Sequence, residues 1–177
     1  AAGGVGLLAA QWAKSLGATV IGTVSTDEKA SLAREAGCEH VVVTSREDFV
    51  ARVREITAGA GVRVVYDAVG RDTFEKSLDC LSPLGLMVSY GNASGPVPPV
   101  APLLLSQKGS LFLTRPTLMT YTARREDLLA SAANLFDVLR SGAVRVRIGA
   151  TFPLREAAEA HVALEARRTT GSTVLLP

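Results

Sequence analysis

Ala1-Ala2-Gly3-Gly4-Val5-Gly6 runs without a break into Leu7-Leu8-Ala9-Ala10-Gln11-Trp12-Ala13, a glycine turn followed by an apolar helical pattern. Against the G-x-G-x-x-G spacing of a dinucleotide-binding turn, Gly3 and Gly6 take the second and third glycine positions and Ala1 takes the first. A bare Gly3 lets backbone approach a pyrophosphate, which the N–H groups and dipole of the helix start attract. Gly6 is expected to let the helix pack closely on a sheet. The alternative is an ordinary glycine turn capping a helix. Such a turn normally follows a strand, and none precedes it, so the sequence reads as cut from a longer one.

The pattern downstream favours the nucleotide. Residues 19–24 are β-branched and short, a strand; 27–36 form a helix capped by Thr26 or Asp27 and ended by Gly37. Residues 40–43 are a strand and 47–56 a crossover helix. Residues 63–68 read as a buried strand, 73–80 as a helix, and 86–90 as a strand ending at Gly91. A loop rich in proline and glycine, 92–102, leads to a short helix and a strand at 110–114. Residues 124–140 carry Leu128, Leu129, Ala132, Leu135, Phe136 and Leu139 at helical spacing. Strands alternating with helices build right-handed βαβ units, so the fold class is α/β, a Rossmann-type doubly wound parallel sheet.

The end of the second expected strand bears on cofactor choice. An NAD site places an Asp or Glu there for the ribose hydroxyls. This sequence has Gly22-Thr23-Val24-Ser25-Thr26 instead, with Lys29 one turn into the next helix. A hydroxyl and a cation without an acid at the strand tip suit a 2′-phosphate, so NADPH is the expected cofactor. Asp27 and Glu28 fit a dipole role in the first helical turn.

Composition excludes other classes. The chain has 177 residues, 47% hydrophobic and 20% charged, with a mean hydropathy of +0.25, unlike a disordered tail. A net charge of +2 from scattered basic residues gives no reason to expect nucleic acid. Apolar runs are far shorter than the roughly 20 residues that span a bilayer. The two cysteines, Cys38 and Cys80, lack ligand spacing to any histidine, so no metal is expected and both read as buried free thiols. His40 and His161 have no nucleophile motif beside them and read as structural. A cytoplasmic location is expected.

Ala1-Ala-Gly-Gly-Val-Gly6, Val64-Val-Tyr-Asp-Ala-Val-Gly70, Gly85-Leu-Met-Val-Ser-Tyr-Gly-Asn92, Gln107-Lys-Gly-Ser-Leu111 and Thr169-Thr-Gly-Ser-Thr-Val-Leu-Leu-Pro177 together resemble zeta-crystallin-type NADPH:quinone oxidoreductases. These form a zinc-independent branch of the medium-chain dehydrogenase/reductase superfamily. The resemblance implies an NADP-binding Rossmann domain over 1–145, incomplete at its start, and a segment, 146–177, that returns to a catalytic domain absent from the chain. It implies that Ala2, Gly3, Gly4 and Val5 line the pyrophosphate and that Ser25 and Lys29 face the 2′-phosphate. Thr44 stands where relatives often place a tyrosine or histidine beside that phosphate. Val69 and Gly70 would lie under the ribose, and Tyr90, Gly91 and Asn92 would flank the nicotinamide. Arg167 would support the 2′-phosphate. The implied reaction is hydride delivery to a quinone, with no catalytic residue in this chain. Reduction of an activated C=C bond in an enone, and a non-catalytic nucleotide-binding module, are the alternatives.

Two further expectations concern assembly. In the order 3-2-1-4-5-6 the strand at 110–114 is an open edge, and Leu111, Phe112 and Leu113 would pair with a second copy as a homodimer. The same order puts the first strand at the centre of the sheet. Without it the chain expressed alone is expected not to fold stably.

Overall fold

The computed structural model describes residues 1–166 and 168–177. The chain divides into two compact units, residues 1–47 with 132–177, and residues 48–131.

In the first unit α1 (Gly4–Ser15) is followed by β1 (Ile21–Val24), α2 (Asp27–Glu35) and β2 (His40–Val43). β1 and β2 pair in parallel, Ile21 opposite His40 and Val24 opposite Val43. Thr26 caps α2 by accepting from the Lys29 backbone N–H, and Gly37, at φ +100°, turns the chain out of it. Small residues let the layers close: Ala30 and Ala33 are fully buried beside Leu7, Val24 and Val43. A Cβ on Gly22 would lie 2.6 Å from Cys38 Sγ, so only glycine fits there. Later in this unit β6 (Ile148–Pro153) and β7 (Ser172–Leu176) pair in parallel, with α8 (Ala157–Glu165) between them in sequence.

In the second unit Asp48 caps α3 (Phe49–Ile56), its Oδ1 accepting from the N–H groups of Val50 at 2.8 Å and Ala51 at 3.0 Å. Then come β3 (Val62–Asp67), α4 (Phe74–Asp79), β4 (Leu81–Ser89), α5 (Pro102–Gln107), β5 (Phe112–Thr114) and α6 (Leu118–Tyr121). The sheet order is β3-β4-β5, all parallel. Phe74, Leu78, Leu81, Met87 and Leu111 form its core. Burying a side chain of this size contributes about 1.5–3 kcal/mol. The helix α7 (Arg125–Arg140) precedes β6 in sequence, and its residues are divided between the two units.

The α/β class and the parallel pairing agree with the sequence, and the neighbours within each sheet are those of the expected order. Three details differ. The strand 63–68 is not buried on both faces: Val64 and Tyr66, two positions apart and so on one face, are 40% and 71% exposed. At 110–114, Leu111 is buried in the core, so the exposed edge consists of Phe112 and Leu113. The apolar stripe of α7 contains no buried residue. Helical periodicity records a face able to pack, not what it packs against.

Candidate functional site

The start of α1 is built to be bare. Gly3 is its N-cap in extended backbone, and no side chain caps the helix and no acid stands in its first turn. The first four N–H groups of a helix lack intrahelical partners, so this end carries unopposed positive charge. No described atom lies within 4 Å of where a Gly3 Cβ would be. Ala2 is buried in the core, while Val5 is exposed. Gly171 N–H donates to the Ala2 carbonyl at 3.0 Å, bringing the turn before β7 against the glycine turn. Gly6 allows a close approach to the backbone that leads into the turn: its Cβ would lie 2.7 Å from the Ala1 carbonyl oxygen.

Past the end of β1 the expected phosphate ligands converge. Lys29 Nζ reaches Ser25 Oγ at 3.5 Å. Thr44, just past β2, is held to the same strand end, its Oγ1 donating to the Val24 carbonyl at 3.0 Å and its N–H at 2.8 Å. Asp27 is engaged by Arg46 at 2.7 Å, a pairing the sequence reading did not foresee. The hydrogen bond from Thr26 holds the Glu28 carboxyl below its ordinary range. Arg167 lies outside the described residues.

In the second unit the remaining candidates sit on the exits of β3 and β4. Asp67, at the end of β3, is 4% exposed. Its Oδ1 accepts from the N–H groups of Val69 at 2.7 Å and Gly70 at 3.0 Å. Its Oδ2 accepts from Thr73 Oγ1 and Ser77 Oγ, both at 2.7 Å. A buried carboxylate thus has four hydrogen-bond donors, which offset the cost of taking it out of water. The turn it shapes puts Gly70 at φ +88°, where a Cβ would meet the Gly95 carbonyl at 2.6 Å. Beside it run Tyr90, Gly91 and Asn92. Burial, then the Asp67 charge, pushes the Tyr90 phenol above its usual range. Arg115 Nη1 donates to the carbonyls of Ser89 at 2.9 Å and Gly91 at 3.1 Å. Phe74, Asn92, Val97, Leu113 and Arg115 line a pocket of about 300 Å³. Sequence reasoning passed over Asp67 and Arg115, which shape these two exits. The only signal was a polar residue, Asp67, closing an apolar strand.

Cys38 and Cys80 are buried and free, and burial pushes the Cys80 thiol up to about 11, so it stays protonated near neutral pH. Among the described residues no three His, Cys, Asp or Glu side chains are grouped to hold a metal ion. No helix is long and apolar enough to cross a membrane among those residues.

Parallel βα units and an uncapped, glycine-lined helix start define a Rossmann-type nucleotide-binding fold. Residues 4–138 match the family model described as zinc-binding dehydrogenase, and the chain belongs to that family. The described donor set does not fit the zinc of that name. The chain is 57% identical over 177 residues to a quinone oxidoreductase of Pseudomonas aeruginosa, covering 100% of itself and 54% of that protein. It is 51% identical to a 2-haloacrylate reductase of Burkholderia sp, covering all of itself and 54% of that relative. The solved Escherichia coli quinone oxidoreductase complexed with NADPH superimposes with a TM-score of 0.95 at 52% identity, over 99% of this chain and 55% of that one. The chain therefore spans about half the length of the relatives it matches.

Proposed function

We propose that this chain is the cofactor-binding portion of an NADPH-dependent quinone oxidoreductase. The observation that carries the reading is the Lys29–Ser25 pair past the end of β1, where no acid stands at the strand tip. The bare start of α1 fits a pyrophosphate, and the solved relative complexed with NADPH supports the choice of dinucleotide. NADPH, when bound, supplies the hydride. The work of the chain's residues is to bind and orient. Gly3, Gly4 and Val5, with the Ala2 backbone, receive the pyrophosphate, and Ser25 and Lys29 receive the 2′-phosphate. Val69 and Gly70 seat the ribose, while Tyr90, Gly91 and Asn92 hold the nicotinamide end. Residues 1–145 serve this binding and 146–177 return toward a catalytic domain. The acceptor is a quinone. A second reading, reduction of a C=C bond, is favoured by the likeness to the 2-haloacrylate reductase.

Two measurements test this. Titration of the protein with each dinucleotide, followed by nicotinamide fluorescence, should show NADPH binding more tightly than NADH; equal affinities would overturn the cofactor assignment. Turnover of a small quinone and of an enone should favour the quinone, and activity on the enone alone would establish the second reading. The open edge of β5, with Phe112 60% exposed, further supports pairing of two copies as a homodimer. Light scattering on a Phe112→Pro variant should report monomers, and a persisting dimer would place the interface elsewhere.

A further inference from the structure

We propose that Ser94 is a positioning residue of the nucleotide site, a latch that makes the exits of β3 and β4 move as one body. The inference rests on the NADPH reading above.

The hydrogen bonding of the parallel pair does not stop where the strands end. Tyr90 N–H donates to the Asp67 carbonyl at 2.8 Å, Ala93 N–H to Ala68 at 3.1 Å, and Ser94 N–H to Val69 at 2.8 Å. Two loops thus remain zipped beyond the sheet. Ser94 closes the zip with its side chain. Its Oγ donates to the Val69 carbonyl at 2.8 Å and accepts from the Asp72 N–H at 3.1 Å. One hydroxyl therefore holds both ends of the turn whose middle carries Gly70. Arg71 N–H adds a bond to the Gly95 carbonyl at 3.2 Å, and Gly95 N–H turns back to Asn92 at 3.0 Å.

The two sides of this zip are braced independently. Asp67 fixes the 67–73 turn from within, through the four donors already described. Arg115 fixes the other side through the Ser89 and Gly91 carbonyls. What neither brace does is tie one loop to the other at its far end; there the Ser94 hydroxyl adds two bonds, to Val69 and Asp72, beside the backbone bond of Arg71 to Gly95. Ser94 belongs to neither residue set assigned to the cofactor. Its effect on binding is transmitted through Val69–Gly70 on one side and Gly91–Asn92 on the other. Orienting groups that act this way govern how well a bound ring is immobilised more than whether the ligand is charge-matched.

The test uses Ser94→Ala and Ser94→Thr in the intact protein, titrated with NADPH and with NADH. In Ser94→Ala the fluorescence anisotropy of the bound nicotinamide should fall, and the Kd of both dinucleotides should rise together by about fivefold to tenfold, the loss of one to two hydrogen bonds. The NADPH-to-NADH ratio should stay at the wild-type value, because Ser25 and Lys29 belong to the other unit. Ser94→Thr, which keeps the hydroxyl, should restore anisotropy and affinity. Wild-type anisotropy and Kd in Ser94→Ala would overturn the latch, as would a Thr variant no better than Ala. A drop in affinity that comes with loss of the cooperative melt would assign Ser94 to stability and also overturn it. Wild-type protein that binds neither dinucleotide would instead overturn the NADPH reading itself, and the latch with it.

Discussion

The glycine turn of the first unit and the paired loop exits of the second are both candidate nucleotide contacts, yet they are made in opposite ways. The start of α1 has no cap and no acid, and open space surrounds the position of a Gly3 Cβ. The exits of β3 and β4 are crowded. A Cβ on Gly91 would lie 2.8 Å from Ala68 Cα, and Asp67 alone gathers four donors. One region offers unsatisfied backbone to a ligand; the other satisfies itself and offers a rigid surface. Glycine therefore has two meanings in one chain, room for something else at Gly3 and lack of room at Gly91.

The largest effect should come from Lys29→Glu, which removes a cation and adds repulsion beside a phosphate. A charge-assisted contact of about 1.5–3 kcal/mol corresponds to a roughly 10–150-fold change in affinity. Titration should show the NADPH preference shrinking by that much or reversing, and an unchanged ratio would leave Lys29 a surface charge. Gly3→Ala sharpens the comparison next. Its backbone, at φ −81°, tolerates alanine, so the cost in stability should stay at or below about 1 kcal/mol. NADPH affinity should nevertheless fall at least about tenfold, the equivalent of 1.4 kcal/mol. An affinity equal to wild type would show that the pyrophosphate does not approach this turn. Gly91→Ala should do the reverse, lowering the thermal midpoint through overpacking worth about 1–3 kcal/mol, whether or not cofactor is present. A melt indistinguishable from wild type would mean the exits yield more easily than their contacts imply.

The smallest effect is one of pH. Backbone N–H groups of Ala51 and Val50, with Lys76 nearby, hold the Asp48 carboxyl below its ordinary value. A carboxylate lowered by folding stabilises above its unfolded pKa, about 3.9, and that contribution disappears as pH falls through the folded value. The thermal midpoint of wild type should therefore drop more between about pH 4 and pH 3 than that of Asp48→Asn, which caps without titrating. Parallel curves would assign the acid sensitivity to other carboxylates.

How legible each region was follows from the distance over which its chemistry acts. Gly3, Ser25 and Lys29 could be singled out as candidates because a turn, a strand tip and a first helical turn are local features. The α2 boundaries followed from Thr26 and Gly37, and β2 matched at both ends. β4 starts at Leu81, ahead of the expected 86–90, and runs through Pro83, Leu84 and Gly85; Leu84 sits at φ +58° and the register with β3 shifts there. The pairing of β6 with β7 joins segments about twenty residues apart without a clear alternating pattern. Ser94 was illegible for the same reason, since its partners Asp72 and Val69 lie 22 and 25 positions away. A serine in a glycine- and proline-rich loop announces a turn, not a fastening to another loop.

The Thr44 hydroxyl has a consequence of proton direction. A hydroxyl has one proton to give, and that of Thr44 is spent on the Val24 carbonyl. Toward any anion past this strand end it presents lone pairs, so in this arrangement it repels a phosphate oxygen instead of binding it. Ser25 stands the other way round: it receives from the Lys29 ammonium, which leaves its proton to point outward. Two hydroxyls of similar chemistry beside one strand tip are thus of opposite polarity to a dianion, and under the NADPH reading proposed above selectivity for the phosphorylated dinucleotide rests with Ser25 and Lys29 among the three.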